Sequence, residues 1–229
     1  MIAYARDVAA LARKDLLLEL RAKETVPAML LFVVATLTVF HFALPQGTGR
    51  DASLGALWIA LVLTALLGLT RAFVPEREQA LLDALVLSPC DRSAIWAAKS
   101  LSVLAFLALA EAVALPAFGA FFSGVDGTTV AAVVLADVGI CAVGTLTGAM
   151  AVAGRARELI QPLLFLPLAI PIVVGGVGAS VVGGGKYLAF LALYDAVFVL
   201  LSWASFEYVI AETSYPPTPD RPAAARVYD

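Results

Sequence analysis

The sequence predicts an all-α polytopic membrane protein with six transmembrane helices and an N-terminal amphipathic helix on the membrane surface. Three observations carry this. The 229 residues are 62% hydrophobic and only 14% charged, whereas a soluble domain is about half apolar and about a quarter charged. Six apolar runs are long enough to cross a bilayer, for which about 20 residues are needed. Lysine and arginine alternate in abundance between the segments that join those runs.

The runs are 26–44, 52–70, 100–122, 128–153, 159–182 and 187–210. The mean hydropathy of +0.94 makes lipid the solvent for most of the chain. With no water to satisfy stray backbone groups, runs of this length must be helical. The first, second and fifth contain no formal charge. The third carries Glu111, the fourth Asp137, and the sixth Asp195 and Glu207, the last two nearer its ends.

Thirteen basic residues fall in the N-terminal segment, the second and fourth connections and the C-terminal tail. Only Arg50 and Lys186 fall in the remaining connections. The positive-inside rule therefore predicts cytoplasmic termini. An odd number of spans would destroy the alternation. The first 24 residues are charged throughout, without the short apolar core of a signal peptide, so none is expected.

Residues 1–24 are predicted to lie along the membrane. Ile2, Ala5, Ala9, Ala12, Leu16 and Leu20 share one helical stripe, while Leu11, Leu17 and Leu18 form a second apolar surface that can meet protein. Thr25 and Pro27 suit the start of the first span. In the connection 71–99, residues 75–87 are predicted to form a short helix. Pro75 fits its first turn, Glu76 and Glu78 suit the positive end of its dipole, and Leu81, Leu82, Leu85 and Val86 supply an apolar face before Ser88-Pro89 ends it. A shorter turn occupies 154–158, and residues 211–229 form a tail rich in Pro and Ala. The whole chain reads as one transmembrane domain.

Several function classes are excluded by what the sequence lacks. There is no GxxxxGK[ST] and no GxGxxG between strand and helix, so nucleotide energy must come from another chain. A single histidine leaves no Ser/His/Asp set of the usual kind and no two-histidine metal motif. Cys90 and Cys141 make neither a disulfide framework nor a metal spacing. No basic block suggests nucleic acid. The chain is therefore expected to be a non-catalytic membrane component with no bound cofactor.

Glu111 and Asp137 are the intramembrane polar candidates. Ionisable groups at membrane depth mark functional sites by default, although each can also hydrogen-bond to a neighbouring helix and simply fix packing. Gly144-Thr-Leu-Thr-Gly148, with Ala136 and Ile140 on the same side, reads as a helix-packing face. Pro162, Pro167 and Pro171, followed by Gly175, Gly176, Gly178 and 183–185, make the fifth span either a kinked helix or one that stops early and re-enters. His41 is either a metal or haem ligand or an imidazole that hydrogen-bonds in the headgroup region.

An amphipathic N-terminal helix, six spans and a helical connection between spans two and three together resemble the permease subunit of a type-2 ABC exporter. Within that group the sequence is most similar to the CcmB family, the haem exporter B proteins of cytochrome c maturation. The similarity lies in Ala12-Arg13-Lys14-Asp15-Leu16-Leu17-Leu18-Glu19-Leu20-Arg21-Ala-Lys23-Glu24, in the connection ending Leu-Ser88-Pro89 and followed by Lys99, and in the proline-rich run Gln161-Pro162 to Pro171. Gln79-Ala80 stands where the family carries a glycine, so this connection is expected to be more regularly helical.

The resemblance implies that 75–87 is a coupling helix contacting a cytosolic ATPase through Glu76, Arg77, Glu78, Leu81, Leu82 and Leu85. It implies that a CcmA-like partner binds ATP, that haem is a transported or handled ligand, and that a homodimer of permeases or pairing with one ATPase dimer is present. It further implies a CcmC-like haem-handling membrane protein, a CcmD-like small subunit and a CcmE-like periplasmic haem chaperone, all at the bacterial inner membrane. Haem export and release of the loaded chaperone remain alternatives, as do lipid or drug efflux on the same fold and a proton-coupled carrier using Glu111 and Asp137.

Overall fold

Hydrophobic runs this long fold as helices, and the described residues of the computed structural model form seven of them and no strand. The described residues are 2–22, 25–45, 47, 49–72, 91–122, 124–153 and 157–213. The helices are α1 (Ile2–Ala22), α2 (Thr25–Ala43), α3 (Arg50–Ala72), α4 (Arg92–Phe121), α5 (Gly127–Ala153), α6 (Arg157–Val181) and α7 (Gly185–Thr213). All but α1 are long and apolar enough to cross a membrane. The predicted helix at 75–87, with Glu76, Arg77, Glu78, Leu81, Leu82 and Leu85, lies outside the described residues, as do 154–156 and the tail beyond 213.

Helix α5 is the centre of the bundle. Its most extensive contacts are with α6 and α7, and it also meets α3 and α4. It is the most buried span, while α2 and α7 are the least buried. Helix α2 lies against α3 and α4, and α1 lies against α4 with a smaller contact to α2. The core is assembled from large side chains with no exposure, among them Leu57, Trp58, Leu69, Phe118, Phe165 and Leu191. Leu31, Phe42, Leu163, Ile170, Leu193 and Leu200 point outward, as lipid-facing positions must in a chain whose solvent is hydrocarbon.

Helix–helix contact in lipid depends on close approach at small residues. At Gly176 of α6 a Cβ would stand 2.3 Å from the Trp58 ring of α3. The Trp58 indole N–H donates to the Ser180 hydroxyl at 3.1 Å one turn further on, which anchors the ring over the glycine. Gly144 receives Leu69 in the same way, at 2.4 Å from a built Cβ. The predicted packing role of this part of α5 thus has a named partner on α3.

The fifth span is one continuous helix, α6, with Pro162, Pro167 and Pro171 inside it. It does not re-enter. Its chain reverses at Gly183 and Gly184, whose φ values of 69° and 113° lie in the region glycine alone adopts easily. The third span starts earlier than hydropathy suggests. Asp91 accepts from the Ser93 backbone N–H at 3.0 Å and caps α4, so Arg92–Lys99 is helix rather than loop. Hydropathy stops at charge, whereas a capped helix continues through it.

Candidate functional site

Glu111 on α4 and Asp137 on α5 come together. Their carboxyl groups are within hydrogen-bonding reach of each other. They line a small cavity of about 10 Å³, the size of one water molecule. Its walls are Trp58, Thr64 and Ala65 of α3, Leu107 and Ala110 of α4, and Val133, Ala136 and Ile140 of α5. Among the described residues no basic side chain lines it. Two facing carboxyl groups can hydrogen-bond to each other only when one carries a proton, because only a protonated carboxyl can donate. Asp137 is 4% exposed.

The pair continues as a polar seam between α4 and α5. Cys141 follows Asp137 by one turn and is buried. Thr145 follows by another, donating to the Cys141 carbonyl at 2.7 Å, and the Ser100 hydroxyl of α4 stands 3.4 Å from its hydroxyl. Residues four apart lie on one helical face, so the seam runs from mid-bundle toward the end that carries most of the basic residues.

Asp195 proves deeper than its place in the sixth apolar run suggested. Glu111, Asp137 and Asp195 each lie ten residues from the opposite end of their helices, at Phe121, Gly127 and Gly185. Ten residues of helix rise about 15 Å, half of a ~30 Å hydrocarbon core. The Asp195 carboxyl is 5% exposed and neither oxygen has a hydrogen-bond partner. It fits only because residue 139 is glycine, whose Cβ would stand 2.5 Å from Asp195 Oδ1. Asp137 and Gly139 are two residues apart, hence on opposite faces of α5, so Asp195 approaches α5 from the side away from the carboxyl pair. Glu207, by contrast, is exposed and lies 3.7 Å from Arg92.

A second constellation forms at the basic end. Lys99 of α4 is buried, donates to the Ala72 carbonyl at the end of α3 (2.6 Å), and lies 3.4 Å from the Asp15 carboxylate of α1. Asp15 also meets Lys14 at 2.9 Å. Four residues on, Glu19 is buried and accepts from the Thr25 hydroxyl at the start of α2. The Ser102 hydroxyl reaches the Ala12 carbonyl at 3.3 Å. The face of α1 that meets the bundle therefore carries two acids. Of the predicted stripe, Ala12 and Leu16 face the bundle beside Leu11, whereas Ala5, Ala9 and Leu20 are exposed. A search for apolar stripes could not find Asp15 and Glu19, because a buried acid is recognised by its partner.

His41 stands at the other end of the molecule within an aromatic group. Its ring stacks on Phe121 at 5.4 Å and meets Phe42 and Phe122 edge-on. Among the described residues no three His, Cys, Asp or Glu side chains are grouped to hold a metal ion.

Comparison with known proteins covers this whole arrangement. Residues 6–209, which take in most of α1 and all six spans, match the family described as CcmB protein. The chain belongs to the CcmB family. It is 30% identical over 179 residues to heme exporter protein B of Bradyrhizobium diazoefficiens, covering 76% of this chain and 80% of that protein. It is 29% identical over 206 residues to heme exporter protein B of Paracoccus denitrificans, covering 86% and 94%. The seam, the Lys99 constellation and Asp195 all lie within the CcmB match.

Proposed function

We propose that this chain is the permease subunit of an ATP-driven transporter that exports or hands over haem during cytochrome c maturation. The observation that carries this reading is the extent of the family match. It takes in most of the surface helix and all six spans, and the two relatives are both named heme exporter protein B. The fold is of the ABC-2 permease type, in a bacterial inner membrane, with both termini in the cytoplasm on the basic side. The chain is not an enzyme. Its sequence holds no phosphate-binding loop, so ATP is bound and hydrolysed by a partner ATPase subunit.

Residues 75–87 are the proposed contact with that partner. Leu81, Leu82 and Leu85 supply an apolar anchor of the kind that dominates interface energy. Glu76, Arg77 and Glu78 supply rim charges that steer association. Haem is the cargo, and the haem-handling membrane protein, small subunit and periplasmic chaperone complete the assembly. Glu111 and Asp137 are the proposed intramembrane working residues.

Two experiments test the reading. Deleting the gene is expected to abolish covalent haem attachment to c-type cytochromes while leaving b-type haem proteins intact; normal cytochrome c assembly in the deletion strain overturns it. Co-purification of the ATPase from membranes is expected to be lost with Leu82→Asp and to become salt-sensitive with Glu76→Lys and Glu78→Lys together. Wild-type retention with all three changes combined shows that 75–87 is not the contact.

A further inference from the structure

Asp195 is a buried acid to which the proposed function gives no task. Among the described residues of α7, the buried ones are Leu191, Asp195, Ser202 and Phe206, spaced as one helical face. That face lies against the bundle. Leu191 packs on Gly175 of α6, and Asp195 on Gly139 of α5. Two of the four residues are polar. The Ser202 hydroxyl accepts from the Trp96 indole N–H of α4 at 2.8 Å. Neither oxygen of Asp195 has a partner.

We propose that Asp195 is a proton-binding site: the bound proton keeps the carboxyl neutral and α7 seated on α5, and its loss releases α7 from that contact. The proposal goes beyond the proposed function and does not rest on it.

Geometry supports it first. The carboxyl occupies the space left by the missing side chain of Gly139. A Cβ there would stand 2.5 Å from Asp195 Oδ1 and 3.1 Å from Ile172 Cδ1 of α6. Backbone of α5 and an aliphatic side chain of α6 therefore enclose the acid. A carboxylate in such a place needs hydrogen-bond donors or a cation, and among the described residues it has neither. With its proton the group carries no charge and fills the same space.

The titratable groups of the helices around it are directed elsewhere. Tyr194, next on α7, donates its hydroxyl to the Leu168 carbonyl of α6 at 2.5 Å. Asp137 of α5 is on the opposite face, with Glu111 of α4. The remaining charged residues of α4, α6 and α7 lie toward the ends of their helices.

The surrounding lipid then makes the contact depend on the proton. An ionised carboxyl at mid-membrane must reach water or a partner. Asp195 is closed in by α5, so it reaches water only when α7 moves away. Helix α7 is one of the two least buried spans, so this movement leaves most of the core packed. The proton is bound when α7 is seated and released when it is not. Lowering the pH therefore strengthens the contact and raising it weakens the contact, by up to about tenfold in the ratio of seated to released α7 per pH unit for one proton.

The test uses the full chain in lipid nanodiscs, in a background of Cys90→Ser and Cys141→Ala. Spin labels are placed on Gly127→Cys and Lys186→Cys, exposed positions at the starts of α5 and α7. The distance distribution between them is recorded as pH is raised. Infrared difference spectra follow the carbonyl stretch of protonated carboxylic acid over the same range. The chain with native Asp195 is expected to gain a longer-distance population with the slope of one proton while losing a carbonyl band. Asp195→Asn and Asp195→Ala are both expected to keep the short distance at every pH and to lack that band. Glu111→Gln with Asp137→Asn is expected to respond as the native acids do. If one Asp195 variant fails to fold, the other decides.

A pH response that persists unchanged in the Asp195 variants overturns the proposal. So does loss of the band with no change in distance, because the proton then does not hold α7. A response to added sodium at constant pH, with none to pH itself, also overturns it, since the occupant is then a metal cation.

Discussion

At the basic end of the bundle a buried cation sits beside its counter-ion; halfway through it, Asp137 and Asp195 are buried, Glu111 is half-buried, and among the described residues no basic side chain lines the cavity of the Glu111–Asp137 pair. Lys99 meets Asp15 and the Ala72 carbonyl. Glu111 and Asp137 meet each other, and Asp195 meets no hydrogen-bond donor. The contrast follows from depth. Near a helix end, orphan carbonyls and a second helix are available to share an ammonium charge. At mid-membrane every backbone group is used within its own helix. Polar groups there must find one another across helices or remain alone. The first arrangement holds helices in place, and the second concentrates polarity where cargo or conformational change would use it.

The largest expected effect tests the basic end. Lys99→Met removes the hydrogen bond to the Ala72 carbonyl and leaves Asp15 with Lys14, which is partly exposed, as its neighbouring cation; it is expected to destabilise the chain by ~3 kcal/mol. Thermal unfolding in detergent measures this, with exposed Lys186→Met as the reference. Equal midpoints for the two variants would erase the distinction between a structural cation and a surface one.

The carboxyl pair comes next. Asp137→Leu removes the partner of Glu111 and is expected to cost ~1–3 kcal/mol, whereas Asp137→Asn keeps a hydrogen-bonding group and is expected to cost under ~1 kcal/mol. Stability and cytochrome c maturation are measured together. Should Asn abolish maturation as fully as Leu while the protein still inserts, the acid has a role beyond packing, and the contrast between the two regions sharpens.

Asp195 is expected to give the smallest change among the mid-membrane acids. Its oxygens accept no hydrogen bond, so Asp195→Asn has none to remove and should shift stability by no more than ~0.5 kcal/mol. A loss above ~2 kcal/mol would mean that the carboxylate has a partner in the assembled complex. Glu207→Gln should change stability by ~0–0.3 kcal/mol, since the Arg92–Glu207 pair is exposed and 3.7 Å apart and so falls at the low end for surface pairs.

Legibility in the sequence followed the same division. Length and apolarity announced six spans, and Thr25 with Pro27 marked the start of α2. Glu111 and Asp137 were conspicuous as charges in apolar runs, but their meeting was not, because they are 26 positions apart on different helices. Asp195 looked peripheral when measured along its own run and proved central once α7 was laid against Gly139. Asp15 and Glu19 lie off the predicted apolar stripe of α1 and nonetheless turn inward, where Lys99 and Thr25 meet them. The proline-rich run permitted a kink or a re-entry, and packing of Gly176 under Trp58 accompanies a continuous helix.

The primary structure alone therefore settles how many helices lie in lipid, because hydrophobic transfer is a sum over residues along one segment and needs no knowledge of neighbours. It also names the polar residues carried into the membrane. Which of those residues share a contact depends on the rotation and depth of each helix against the others. That is set by side-chain packing across the bundle, such as Trp58 on Gly176, Leu69 on Gly144 and Asp195 on Gly139, and by one lysine that finds its partners on two other helices.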